Sequence, residues 1–314
     1  MADVKKIATR ESYGKALAEL GKEYDIVVLD ADLSKSTKTE TFKKEFPDRF
    51  FNMGIAEQNM MSTAAGLASC GKVVFASSFA MFAAGRAFEQ IRNSVCYPNL
   101  NVKIGATHAG ISVGEDGATH QCLEDIGIMR TIPNMVILNP ADDVEARAAV
   151  KAAVLHDGPV YLRFGRLAVP VLFDEDTYEF EIGKGVLLKD GKDVTVFATG
   201  LMVEPALEAA NSLEKEGISV RVVNIHTIKP IDRDIIVKAA KETGAIVTCE
   251  EHNIIGGLGS AVAEVLCEET PVPMERIGVK DAFGKSGVPA ELLKEYGLTS
   301  ADICNACRKA IERK

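Results

Sequence analysis

Short runs rich in Val and Ile recur along the chain with helix-length, Ala-rich stretches between them, and no other feature narrows the choice of fold as far. Residues 25–30 (DIVVLD), 72–77 (KVVFAS), 101–106 (NVKIGA), 134–139 (NMVILN) and 159–164 (PVYLRF) have strand composition, and segments such as DDVEARAAVKAAVLHDG have helical composition. Strand and helix in alternation predict a mostly parallel sheet covered by helices. The alternation breaks after Phe164, where GRLAVPVLFDEDTYEFEIGKG has two polar turns, a proline and no helical period. It resumes with DVTVFATG, a helix over VEPALEAANSLEKEG, then SVRVVNI, AIVTCE and a helix from about Ser260. The expected fold is α/β: two domains, 1–165 and 186–314, each a mostly parallel β-sheet covered by helices, with a linker over 166–185.

A chain of 314 residues, 47% of them apolar, can build a core in each domain. No apolar run approaches the roughly 20 residues that span a bilayer, and the charged N-terminus has no signal-peptide apolar region. Seven scattered cysteines suit a reducing compartment, so the expected location is the cytoplasm, with no membrane partner. A net charge of −9 argues against nucleic acid, but leaves anionic small molecules open because local charges set a site. The pair Cys304 and Cys307 lacks a second pair of metal ligands and reads as two small buried residues on the last helix. Gly257-x-Gly259 looks like the start of a dinucleotide fingerprint, yet its third glycine position is Val262; a tight strand-to-helix turn is the better reading.

Two constellations carry chemistry. In FNMGIAEQNM, Glu57 heads a stretch that is small and apolar through Ala68; an acid in the first turn of a helix is one explanation. In GATHAGISVGEDGATHQCLED (105–125), His108 and His120 bracket a loop with Gly110, Gly114, Gly117, Glu115 and Asp116. The loop follows a strand, so it emerges at the carboxyl edge of the sheet, where open α/β sheets bind ligands. A helix is expected to start at His120. Such a loop suits hydrogen bonds to hydroxyls and proton transfer near neutrality. A twelve-residue spacing of histidines matches no metal-ligand pattern.

IAEQNM, FASSFAMFAAGRAFEQIR, THAGISVGEDGATHQ and IKPID, taken together, resemble the C-terminal half of transketolase over essentially the whole chain. That resemblance implies a pyrimidine-binding domain followed by the family's C-terminal domain, and thiamine diphosphate as cofactor. The family holds the diphosphate through Mg2+ (or Ca2+) on a GDG motif with a downstream Asn, and this chain has no GDG. It therefore resembles the second subunit of a split transketolase: an N-terminal partner subunit would carry GDG and the metal, this chain would supply no metal ligand, and the assembly would hold two copies of each chain.

Residue by residue, the resemblance makes Glu57 the acid that hydrogen-bonds N1′ of the cofactor's aminopyrimidine, in a mostly apolar cleft. It makes Phe82 the ring stacked on the pyrimidine and Phe79 a wall beside it; Gly85 stands where some relatives have a further aromatic. Asp32 matches a cofactor-contacting acid. Ser36, His108 and Arg166 match positions that bind the phosphate of sugar phosphates, Arg166 rather than Arg163 being the match. Asp116 corresponds to an acid on a substrate hydroxyl beside the reacting carbon, and His120 to a group near the donor carbonyl and C1 hydroxyl. The implied reaction moves a two-carbon ketol unit from a ketose phosphate to an aldose phosphate. The competing readings are the β-subunit of a 2-oxoacid dehydrogenase's decarboxylating component, a deoxyxylulose-phosphate synthase, and a non-catalytic α/β scaffold. The set His108, Asp116 and His120 favours a polyol substrate over a short oxoacid.

Overall fold

The computed structural model describes residues 5–314. In the N-terminal half the five predicted Val/Ile runs pair side by side in the order Val136–Leu138, Val160–Arg163, Val102–Thr107, Val73–Phe79 and Ile26–Asp30, and a short strand not predicted from the sequence, Phe50–Asn52, joins at the edge; every neighbour is parallel. Side chains alternate between the two faces because a strand has period two. Val28, Phe75, Val160 and Leu162 pack under the helices Thr9–Leu20 and Asp143–Leu155. Leu29, Val74, Ala76 and Tyr161 face the other way, against Met60, Met61 and Ala64 of helix Glu57–Ser69. Both faces are covered, which is why these strands read as continuous apolar runs. Each fully buried Val, Leu or Phe contributes about 1.5–3 kcal/mol relative to exposure.

The second sheet runs Met274–Val279, Ile246–Asn253, Val194–Ala198, Val220–Asn224 and Val186–Lys189, parallel except for the last strand. One face carries helices Val203–Glu214 and Ser300–Glu312, the other Arg233–Thr243 and Leu258–Glu269. Cys304 and Cys307 are buried on the last helix, and both are free thiols. Among the described residues no helix is long and apolar enough to cross a membrane.

The GxG segment is a tight turn, and the structure shows why. Glu250 accepts hydrogen bonds from Leu258 N at 2.6 Å and Gly259 N at 2.8 Å, so a buried carboxylate already serves the helix N-terminus. A Cβ at Gly257 would lie 1.9 Å from Glu250 Oε2. The turn has no room for a phosphate.

The two halves share one body. The strand Thr227–Lys229 adds antiparallel to Val136–Leu138, extending the N-terminal sheet with a piece of the C-terminal half. Beside it, Glu145 accepts from Asn224 Nδ2 at 2.7 Å and from the Tyr178 hydroxyl, so a buried carboxyl ties both halves to the segment between them. Within that segment Ala168–Pro170 pairs with Lys6–Ala8, and Leu172 and Phe173 donate to Asp142 at 2.7 and 2.9 Å.

Candidate active site

The residues matched to the cofactor and substrate site lie at or beyond the carboxyl ends of strands of the N-terminal sheet, and five adjacent strands contribute. Asp32 and Ser36 follow Ile26–Asp30, Glu57 follows Phe50–Asn52, and Phe82 follows Val73–Phe79, which ends on Phe79 itself. His108, Asp116 and His120 follow Val102–Thr107, and Arg166 follows Val160–Arg163.

Glu57 is the first residue of its helix and is 1% exposed. Within the mostly apolar cleft that the resemblance implied, the carboxylate has one cation beside it: Arg86 Nη1 lies 3.0 and 2.9 Å from its two oxygens. A buried charge needs a partner or hydrogen bonds, and a half-exposed guanidinium supplies both. Arg86 also lies over the Phe82 ring, 4.7 Å from its centroid. The two residues are four apart in a π-helical segment, Met81–Arg86, a wide turn often found at functional sites.

Aromatic rings continue the row. Phe79 and Phe82 lie 6.0 Å apart and nearly parallel, His120 meets Phe82 edge-on at 5.3 Å, and His108 stacks on Phe79 at 3.8 Å. His108 is 3% exposed, with Arg10 Nη1 at 3.0 Å from Nε2 and Thr107 Oγ1 at 2.9 Å from Nδ1. Arginine only donates, so Nε2 accepts and Nδ1 carries the proton towards Thr107. Burial, then the positive charges of Arg10 and Arg166, push its pKa down to about 3. His108 therefore does not titrate near neutrality as its loop was expected to do. In an NMR titration its Cε1–H shift should stay flat from pH 8 to 5. The unfolded ring titrates near 6.5, so the His108 contribution to stability is complete above that pH and is lost as pH falls towards about 3. A step centred near 6.5 in the folded protein would refute the neutral assignment.

The loop after His108 folds as a tight turn over Ile111–Asp116, with Gly110, Gly114 and Gly117 at positive φ. The expected helix at His120 begins instead at Asp125, because the chain turns at Gly117 and then Cys122 bridges back to Ala109 and Gly110. Asp116 is exposed and His120 half-buried, its Nδ1 2.9 Å from Thr119 Oγ1. Arg166 donates from Nη1 to Val113 O and to Glu115 Oε2 at 2.7 Å, bracing the loop. Ser36 offers its backbone carbonyl to Arg10 Nη1 at 3.0 Å. Asp32, exposed and at φ +63°, accepts a hydrogen bond from Asn52 Nδ2 at 2.8 Å. Among the described residues no group of three or more His, Cys, Asp or Glu side chains is placed to hold a metal ion.

The transketolase pyrimidine-binding domain model matches residues 5–171 and the transketolase C-terminal domain model residues 183–303. The chain belongs to the transketolase family. It is 53% identical over 308 residues to a putative transketolase C-terminal section of Methanocaldococcus jannaschii, covering 97% of this chain and 96% of that one. It is 44% identical over 306 residues to a 6-deoxy-6-sulfo-D-fructose transketolase subunit of a Clostridium species, covering 97% and 95%. A solved structure described as a split gene transketolase, inactive beta4 tetramer, is 60% identical with a TM-score of 0.92, covering 98% of this chain and 99% of that one.

Two cations of this transketolase-family site escape a reading of the sequence. Arg10 sits in the first turn of Thr9–Leu20, where the helix dipole disfavours a cation; that misplacement was the available signal. Arg86 gave none, because its approach to Phe82 and Glu57 depends on a π-helical turn that a 3.6-residue period does not anticipate.

Proposed function

We propose that this chain is one half of a thiamine-diphosphate-dependent transketolase, moving a two-carbon ketol unit from a ketose phosphate to an aldose phosphate. The observation that carries the reading is the buried Glu57 carboxylate beside the parallel rings of Phe79 and Phe82. These residues fit the pyrimidine end of the cofactor: an acid for a ring nitrogen and a flat apolar wall for a ring face, worth about 0.5–1.5 kcal/mol beyond burial. The family generally uses thiamine diphosphate with a divalent metal, and when bound the cofactor supplies the nucleophilic carbon for two-carbon transfer. Glu57 holds and shares a proton at N1′ of the pyrimidine. Phe82 stacks on the ring, Phe79 bounds it, and Asp32 touches the cofactor from the neighbouring strand end.

At the other end of the row, Arg10, Ser36, His108 and Arg166 form the phosphate-binding group. In support, Arg10 Nε is buried with no hydrogen-bond partner among the described residues, a donor awaiting an acceptor. Neutral His108 offers no charge of its own and acts through hydrogen bonding beside the guanidinium of Arg10. Asp116 binds a hydroxyl beside the reacting carbon, and His120 lies by the donor carbonyl and C1 hydroxyl. The relatives described above carry transketolase names, and the 2-oxoacid dehydrogenase reading has no support among them. One relative's name specifies a sulfonated sugar; a sulfonate is also an oxyanion that arginines bind, so substrate assays should include both anions.

The diphosphate and its Mg2+ (or Ca2+) fall to an N-terminal partner subunit carrying GDG and a downstream Asn, in an assembly with two copies of each chain. Support comes from the lack of GDG here and from similarity to proteins described as a C-terminal section and a split gene transketolase. Seven free cysteines fit a cytoplasmic location. Calorimetry tests the division of labour. Thiamine diphosphate with Mg2+ should bind the mixture of both chains at least about tenfold more tightly than this chain alone, since its contacts then come from both ends. Equal affinity with and without the partner would contradict it.

A further inference from the structure

The C-terminal half reaches into the loop of His108, Asp116 and His120 with one acidic side chain. We propose that Glu251 is a positioning residue for substrate binding: its carboxyl fixes Gly110–Ser112 and so sets the spacing between His108 and the turn that bears Asp116. This rests on reading that loop as the substrate loop.

Glu251 lies in strand Ile246–Asn253 and is 4% exposed. Its Oε1 accepts the Ser112 N–H at 2.5 Å. Gly110 leaves the space for it: at φ +88°, a Cβ there would lie 2.2 Å from Glu251 Cδ and 2.4 Å from Oε1. Glycine is thus required twice at this position, by the backbone angle and by the carboxyl pressed against it. The base of the loop closes where Gly110 N donates to Cys122 O at 2.9 Å. Arg163 joins that closure to Glu251, donating from Nη2 to Glu251 O at 2.9 Å and to Cys122 O at 3.4 Å.

A second grip, made by Gln121 of the N-terminal half, ties the far side of the loop to a carbonyl of the C-terminal half. Gln121 Nε2 donates to Ile111 O at 3.1 Å, Gly114 O at 3.2 Å and Lys285 O at 2.9 Å. The segment carrying Lys285 also approaches Gly114 and Gly117, where added Cβ atoms would lie 2.9 Å from Pro289 Cγ and 2.5 Å from Ser286 Oγ. Of the two grips, only Glu251 supplies an acidic side chain.

That carboxyl is also sensitive to pH. Burial pushes its pKa up to about 7, opposed by the Arg163 guanidinium and by the Ser112 N–H, while Asp125 beyond Arg163 adds to the rise. Above pH 7 an ionised acceptor holds Ser112 through a charge-assisted bond, and below it the neutral carboxyl holds it more weakly.

The test uses Glu251→Ala, Glu251→Gln and Gly110→Ala, with hydrogen exchange on the full chain and kinetics on the mixture with its partner subunit. Exchange in 110–117 should speed by about tenfold in Glu251→Ala and Gly110→Ala, while helix Asp143–Leu155 stays protected. KM for sugar phosphates should rise by about tenfold in both, since the loosened loop carries the proposed substrate contacts. In the native mixture KM should climb as pH falls through 7. Glu251→Gln keeps an acceptor for Ser112 without the charge, so its KM should lie between native and Glu251→Ala and be flat with pH. Unchanged loop exchange in Glu251→Ala, or a pH-dependent KM surviving in Glu251→Gln, would overturn the positioning role. A loosened loop with native KM would instead overturn the reading of the loop as the substrate site, and the proposal with it.

Discussion

Glu57→Gln should fold normally and lose most ketol transfer in the reconstituted enzyme, by about 10²–10⁴-fold in kcat, the range of a positioned acid–base group. The amide has nearly the same shape and can still accept a hydrogen bond from Arg86, so the helix start and the packing of Met60 and Met61 behind it need not change. What it cannot do is hold a proton at N1′. Loss of the charge weakens the pairing with Arg86 without removing it, so the guanidinium that bridges Glu57 and the face of Phe82 keeps a partner. Cofactor affinity should therefore change far less than turnover. The decisive readout is exchange of the C2 proton of bound thiamine diphosphate, followed by NMR in the mixture of both chains. It should slow by the same factor as kcat. Native exchange in a folded Glu57→Gln protein would leave the acid with a structural role only, as the buried partner of Arg86 at a helix N-terminus.

Arg166→Ala should lower kcat/KM for phosphorylated sugars by roughly tenfold to a hundredfold, because a hydrogen bond to a charged group contributes about 1.5–3 kcal/mol. Unphosphorylated donors should be nearly unaffected. Arg166 stands with Arg10 and His108, and its charge bears on the His108 ring. His108→Ala should show the same selective pattern. Asp116→Ala should penalise both kinds of substrate, since its proposed partner is a hydroxyl next to the reacting carbon. Arg166 also braces Val113 and Glu115, so equal losses for phosphorylated and unphosphorylated donors would assign it to the loop rather than to the phosphate.

Much of this was legible before any coordinates. The Val/Ile runs located the central strands of both sheets, and their alternation with helices gave parallel pairing; the edge strands Phe50–Asn52, Val186–Lys189 and Met274–Val279 were not anticipated. The histidine loop stood out by its own composition, two histidines and adjacent acids among glycines, whereas Phe79, Phe82 and the cofactor role of Glu57 came from the family resemblance. What the sequence hid was non-local. Thr227–Lys229 extends the other half's sheet, and no local pattern marks a strand whose partner is Val136–Leu138. Gly110 looked like loop chemistry, yet it makes room for Glu251, 141 positions further along (251 − 110). The helix expected at His120 begins only at Asp125, because the chain turns at Gly117 and then Cys122 bridges back to Ala109 and Gly110. His108 was expected to titrate near neutrality; burial and two arginines remove that property, and Arg10 is remote in sequence.

On the proposed function this chain holds half of a thiamine-diphosphate site and works only when the other half is supplied. Turnover tests it most directly: ketol transfer from a ketose phosphate to an aldose phosphate, with thiamine diphosphate and Mg2+, by this chain alone, by a partner chain carrying GDG and a downstream Asn, and by the two mixed. Transfer should appear only in the mixture and should saturate at one partner chain per chain. Robust transfer by this chain alone, or none from a mixture in which both chains fold and associate, would contradict the account.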